Sequence, residues 1–390
     1  MSKTKKIDVL HVVRTFGDKN QPYTTHLLNS INSYSNLKHI VVSDLVYELP
    51  SNIEVLSISS SRINKLQVGS IPYIVKSLAD NNLKDSLTGL SFKMKIKFLL
   101  KWKKLILSDS RLIHLHHLQV VDSRILTYLN TKNIPIVCSL RGRDILINTR
   151  NKEGSKAFKK NLNSINHIHV ISSFLKKRLF ELTNSISTSV VYRGGNLPLE
   201  ENIKKVFNIN LNKPIKVIVI GRLVWEKGHV YLLDSIKRLR DSGIDIKMDI
   251  YGEGIFYEFI EYRISQLGLT EYVCLKGYLE NELLRKKYKE YDFSIQPSLS
   301  EALSNGLLDL TFHNIPCVIS NVGGMPEIIE DGINGIVYDI NNTEAIDEAI
   351  LKIVDLDFEA LCYHNVGLRK KFSLDNEIKG LETIYQEYLN

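Results

Sequence analysis

The chain has 390 residues, 44% of them hydrophobic and 24% charged, with 51 basic and 43 acidic side chains giving a net charge of +8. This is too long for one ordinary core, so two domains are expected, and no apolar run nears the ~18 residues a membrane span needs. The positive balance implies attraction to something anionic, whether nucleic acid, lipid or a charged small substrate. Cys138, Cys274, Cys317 and Cys362 are scattered without a C-x-x-C pair, which argues against a disulfide framework or zinc site and for reduced thiols in a cytoplasmic protein.

The start, MSKTKKIDVLHVV, runs straight into a strand pattern and shows no signal-peptide h-region. Strands are expected at 7–13, 39–43, 113–116, 134–140, 167–171 and 189–192. A second set is expected at 215–220, 246–251, 272–275, 293–296 and 317–320. Amphipathic helical segments such as 228–241 and 281–291 separate them. Near-continuous apolar strands alternating with helices predict parallel sheets covered on both faces. The stretch 193–214, RGGNLPLEENIKKVFNINLNKP, reads as a linker. It divides a first domain, 1–200, from a second, 201–372. In doubly wound sheets ligands sit beyond the carboxyl ends of the strands, so the loops there matter most.

The first such loop, RTFGDKNQPYTTH, holds Gly17. Further on, KMKIKFLLKWKKLI at 93–106 carries six lysines and one of the two tryptophans. On a helix, Met94, Phe98, Trp102 and Leu105 share one face, and Lys93, Lys97, Lys101 and Lys104 an adjoining one. That pattern suits an ordinary domain helix or the surface of an anionic membrane. In LIHLHHLQ, His114 and His116 point to one side and His117 to the other. The alternation looks like a metal pair, but no third ligand appears at a sensible spacing, so no metal is expected. His114 reads as a hydrogen-bonded core residue, while His116 and His117 end a strand and suit an acceptor-side role. In SLRGRD, Asp144 either positions an acceptor hydroxyl or caps a helix.

In the second half, strand 215–220 leads into GRLVWEKGH, where Arg222 and Lys227 flank a helix opening. Two cations and free helix N–H groups make an anion site, although both could be solvated loop charges. In SEALSNGLLD, Glu301 and Asp309 bracket Ser304, Asn305, Gly306 and Leu307. This is either a helix cap or a site for a ligand rich in hydroxyls and phosphates. The two glycines of GGMPE, 323–327, permit a tight turn or a close approach to a ligand.

The ordered series GRLVWEKG, DIYGEG, KGYLE, SEALSNGLLD, IPCVISNVGGMPEII and DGINGIV strongly resembles the nucleotide-binding domain of family 4 glycosyltransferases. LIHLHHLQ, SLRGRD, HVISSFLKKRL and VYRGGN look like that family's N-terminal domain. The resemblance implies the GT-B fold: two Rossmann-like, doubly wound α/β domains of parallel sheets facing across a cleft, with a last helix, about 373–390, crossing back onto the first. It implies a retaining transfer of sugar from a UDP-, GDP- or similar nucleotide sugar to a glycan or lipid-linked acceptor, with the leaving diphosphate helping to deprotonate the acceptor. Bacterial surface polysaccharide synthesis is the usual setting. By the same resemblance Glu301 contacts the transferred sugar and Asp309 the ribose, whereas the turn at Ser304–Leu307, Arg222 and Lys227 hold the diphosphate. Gly277, Tyr278 and Leu279 receive the base. Fixed cations and helix N–H groups can stabilise the leaving group without a metal, so no cofactor is expected. Two positions depart from the pattern: the second acid is usually Glu, and Arg141 stands where a histidine is common. Arg141 could still pair with the leaving phosphate or an anionic acceptor.

Rival readings fit less well. A dinucleotide-dependent oxidoreductase would carry G-x-G-x-x-G after the first strand, where residues 13–17 read VRTFG. A nucleic-acid binder would interleave stacking aromatics with its cations. A nucleotide-sugar-binding pseudoenzyme, and more weakly an epimerase of the same fold, share the motifs.

Overall fold

The structure, a computed structural model, describes residues 6–18, 22–47, 51–58, 70–183, 186–195, 213–342 and 344–390. The chain forms two compact units. One comprises residues 1–171, 176–191 and 377–390, and the other 172–175 and 192–376. Most of the expected linker, including the 200/201 boundary, lies outside the described residues.

The first unit holds β1 (Ile7–Phe16), β2 (His39–Val46), β3 (Glu54–Ser57), β4 (Ser110–Leu115), β5 (Ile136–Leu140), β6 (His167–Val170) and β7 (Ser187–Val190). They form one sheet in the order β3-β2-β1-β4-β5-β6-β7, parallel throughout. The second unit holds β8 (Ile215–Ile220), β9 (Ile246–Tyr251), β10 (Val273–Gly277), β11 (Phe293–Gln296), β12 (Cys317–Ser320) and β13 (Gly335–Tyr338). Their order is β10-β9-β8-β11-β12-β13, again parallel.

Each central strand is buried because Val, Ile and Leu fill both of its faces. Val217, Val219, Ile250, Ile295 and Val318, for example, share one core with Leu232, Leu233 and Ile236 of the His229–Asp241 helix. The order reverses between β1 and β4 and between β8 and β11. These two switch points are where a doubly wound sheet leaves a crevice at its carboxyl edge.

The expected face of the lysine-rich helix is corrected. In the Phe92–Ile106 helix, Trp102 and Leu105 are buried, as expected, but with Leu99. Met94 is 53% and Phe92 68% exposed. The reason is where the neighbouring Ile71–Ala79 helix covers it. Tyr73 donates to the Leu99 carbonyl at 3.1 Å, and Lys103 Nζ sits 5.2 Å from the Tyr73 ring centre. This contact lies in the middle of the helix and leaves its first turn bare.

Candidate functional site

In the second unit the carboxyl edge of β8 and β11 gathers most of the expected donor-side residues. Gly228 adopts a left-handed φ of 67° between Lys227 and the His229–Asp241 helix. A Cβ there would meet the Pro297 carbonyl oxygen at 2.0 Å, so only glycine lets the β8 loop lie on the β11 loop. Leu299 N–H then donates to the Glu226 carbonyl at 2.7 Å. This close packing brings Lys227 onto Glu301, and their side chains form a salt bridge, 16% and 17% exposed. The cation expected at the diphosphate and the carboxylate expected at the sugar are therefore partners. Arg222 is exposed at the start of the same loop.

Gly323, at φ 62°, settles what the GGMPE glycines do. A Cβ there would stand 1.6 Å from the Glu301 carbonyl oxygen. The loop after β12 is thus moulded on the backbone of Glu301. At its far end Glu327 accepts N–H bonds from Ser173 (2.9 Å) and Phe174 (2.8 Å) and the Tyr192 hydroxyl (2.8 Å). All three belong to the same unit.

Ser304 caps the Asn305–Phe312 helix, its hydroxyl accepting from Leu307 N–H at 3.3 Å. Leu307, one of the turn residues expected at the phosphate, has its N–H engaged by this cap. Asn305 and Gly306, in the first turn, have no intrahelical acceptor for theirs. Asp309 is held by two residues that sequence reasoning missed. Arg285 reaches Oδ1 through Nε at 2.9 Å and through its second terminal nitrogen at 2.8 Å, and the Tyr288 hydroxyl donates to Oδ2 at 2.6 Å. Gly277 ends β10, an edge strand two removed from β8, and Tyr278 and Leu279 follow it. Tyr278 is 59% exposed there.

In the first unit the expected residues fall at the carboxyl ends of β1, β4 and β5, but they are more occupied than expected. Gly17 N–H donates to the Thr25 hydroxyl at 2.8 Å. His117 is half-exposed and bonds Asp144 at 3.3 Å, whereas Asp144 is buried. Asp144 lies in the first turn of the Arg143–Leu146 helix, whose cap position is Gly142. It orients His117 rather than capping.

His116 was expected to face a ligand and does not, being 1% exposed with both ring nitrogens engaged. It belongs to a relay. Arg141 donates to His116 Nδ1 at 3.0 Å. His116 Nε2 lies 3.1 Å from His11 Nδ1, and His11 Nε2 lies 2.9 Å from His39 Nδ1. Guanidinium has no acceptor, so His116 Nδ1 must accept and Nε2 must carry the proton. Each following imidazole inherits that tautomer, and the relay ends at His39 Nε2, buried without a partner.

A second relay starts from the Tyr385 hydroxyl, 2.6 Å from His114 Nδ1. It passes through His114 Nε2 to Ser139 at 2.7 Å and from Ser139 to His169 Nδ1 at 2.7 Å. It ends with His169 Nε2 at 2.8 Å from the Val191 carbonyl. A carbonyl only accepts, so this direction too is fixed.

The nitrogens of His11, His114 and His116 lie within 4.8 Å of one another, so the third histidine missing from the sequence pattern comes from β1. Every one of these imidazoles is hydrogen-bonded, and the Arg141 cation adjoins the cluster. A divalent ion would add two buried positive charges beside it, and among the described residues no carboxylate is hydrogen-bonded to any of the three imidazoles. The cluster fits a hydrogen-bonded layer, not a metal ligand set. Burial, then the charges of neighbouring imidazoles, holds His11 well below the ordinary histidine range. Burial and then, in part, Arg141 does the same for His114 and His116. Burial pushes His39 and His169 down to about 4. Arg141 also bonds the Thr24 hydroxyl at 3.1 Å and lies 4.9 Å from the Tyr23 ring centre.

Residues 200–366 match the sequence model of the glycosyl transferases of group 1. An uncharacterised glycosyltransferase of Methanocaldococcus jannaschii is 28% identical over 229 residues, covering 55% of this chain and 58% of its own length. A putative teichuronic acid biosynthesis glycosyltransferase of Bacillus subtilis is 26% identical over 225 residues, covering 56% of this chain and 54% of its own. The chain therefore spans little more than half the length of these two relatives. Anabaena HepE, solved with UDP and glucose, superposes with a TM-score of 0.67 over 97% of this chain and 99% of its own, at 14% identity. The chain is related to glycosyltransferases in sequence and has their GT-B fold.

Proposed function

We propose that this chain, whose residues 200–366 match the group 1 glycosyl transferases, moves a sugar from a nucleoside-diphosphate sugar to a hydroxyl of a glycan or lipid-linked acceptor with retention of configuration. The observation that carries the reading is the Lys227–Glu301 pair beside the first turn of the Asn305–Phe312 helix, where the Asn305 and Gly306 N–H groups have no intrahelical acceptor, at the β8/β11 switch. A carboxylate accepts from sugar hydroxyls. A lysine, an arginine and first-turn N–H groups receive the charge that builds on a departing diphosphate. Asp309 faces the ribose in this reading, and residues 277–279 the base. A solved structural neighbour holds UDP and glucose, which supports a nucleotide-sugar donor, and a relative named for teichuronic acid biosynthesis supports a polysaccharide acceptor. The resident groups suffice for this chemistry without a cofactor.

Uridine and guanosine diphosphates serve as binding probes. Arg222→Ala and Lys227→Ala should each weaken calorimetric binding at least tenfold, since a hydrogen bond to a charged group contributes roughly 1.5–3 kcal/mol. Binding unchanged in both variants would remove the anion site and the reading with it.

The acceptor's setting follows from the Phe92–Ile106 helix. Its exposed first turn carries Phe92 and Met94, and Lys93, Lys97 and Lys104 are exposed along it. No helix among the described residues is long and apolar enough to cross a membrane. We place this helix at the cytoplasmic face of an anionic bilayer, as a peripheral contact. Each lysine near such a surface contributes about 1 kcal/mol, less in high salt. Changing Lys93, Lys97 and Lys104 to Glu should abolish sedimentation with phosphatidylglycerol vesicles. Equal sedimentation of this variant and the wild type would exclude the helix as the contact.

A further inference from the structure

Three donor atoms already lie within 2.9 Å of the Asp309 carboxylate. A carboxylate offers about four acceptor positions, two on each oxygen. Arg285 occupies Oδ1, with a hydrogen bond from Nε and an ion-pair contact from its second terminal nitrogen, and Tyr288 fills one position on Oδ2. Tyr288 is 3% exposed, so it cannot turn its hydroxyl away to solvent. Burial and the adjoining carboxylate hold its phenol far above the usual range, which keeps it a donor. The Asp309 side chain is 19% exposed, so one position on Oδ2 is left for a ligand.

A ribose presents two neighbouring hydroxyls. A fully open carboxylate accepts from both, one on each oxygen, whereas this one has room for one. We infer that Asp309 reads a single ribose hydroxyl, so that the site accepts nucleoside diphosphates and their sugars lacking the other. This rests on the reading that places Asp309 at the ribose. The donor class thereby widens to include a deoxynucleoside diphosphate sugar, and Arg285 and Tyr288 become the positioning residues that set this specificity.

The test is calorimetric binding of uridine and guanosine diphosphates beside their 2′-deoxy and 3′-deoxy forms. In the wild type one deoxy form of the bound nucleotide should bind within about threefold of its parent and the other about tenfold or more weakly, the loss of one hydrogen bond to a charged group. Tyr288→Phe opens the second position on Oδ2, so both deoxy forms should then fall about tenfold. Arg285→Gln, which opens Oδ1, should do the same and serves if the first variant is poorly folded. If the wild type already loses tenfold on both deoxy forms, Asp309 has room for two hydroxyls. The inference then fails while the ribose reading stands. If neither form differs from its parent and Asp309→Asn leaves binding unchanged, or if neither nucleotide binds, the ribose reading fails and takes the inference with it. Variants that show no new discrimination also overturn the inference.

Discussion

The first unit should unfold steeply between pH 6.5 and pH 4. Five imidazoles, His11, His39, His114, His116 and His169, are buried neutral, with His39 and His169 pushed down to about 4 and the other three well below the usual range. Their folded pKa values lie below the unfolded one, so the unfolded chain binds the extra protons as the pH drops. Stability is intact above the unfolded value of ~6.5 and is lost as the pH falls toward 4. His39 and His169 together cost roughly 3 kcal/mol per pH unit in that window, and the other three histidines act in the same direction. A domain's whole stability is about 5–15 kcal/mol, so the transition should be complete before pH 4. Trp102 is buried in this unit and Trp225 is 44% exposed in the other. In a Trp225→Phe background, Trp102 emission should shift to the red with a midpoint near pH 5. Unshifted emission down to pH 4 would show that the layer tolerates protons.

Glu301→Gln should lower kcat about 10²–10³-fold, the range seen when one group that stabilises transition-state charge is removed. Affinity for the nucleoside diphosphate should hold or improve. In the wild type Lys227 is paired with Glu301, and a phosphate must share it. The neutral amide releases that cation to the ligand. A variant with near-normal turnover would reduce the Ser300–Asp309 stretch to a helix cap. One that lost turnover and nucleotide binding together would place Glu301 at the diphosphate instead.

The strands buried on both faces were legible because parallel sheets leave a continuous apolar run. Two escaped. β3 is a short edge strand with half-exposed and exposed positions, and β13, GIVY, begins on a glycine inside a turn-rich stretch. In the site, residues on the loops were legible because each loop carries its own small residues, acids and cations. Their partners were not. Arg285 and Tyr288 sit on a different connection from Asp309. His11 and His39 each lie inside an apolar strand, and register sets His11 opposite His114 and His39 opposite Val9 on the neighbouring strand. A histidine in four of the first seven strands was the available signal. Its meaning depends on strand order, which local sequence does not specify. The exposed first turn of the Phe92–Ile106 helix escaped for the same reason, because helical periodicity locates a face but not how far a neighbour covers it.

The first unit is completed by residues 377–390, and this sets an order of events during synthesis. Tyr385 starts one imidazole relay, and Glu377, fully buried, receives the Tyr23 hydroxyl. Neither residue exists while residues 192–376 are still being translated. At about 5–20 residues per second, the nascent sheet waits roughly 10–40 s with its polar layer unroofed. Over that interval the second unit, whose strands are contiguous in sequence, can reach its native state first. The ribosome thus delivers the domains in one order and folding completes them in the other. A chain stalled before residue 377 would leave a histidine-lined face for chaperones to hold.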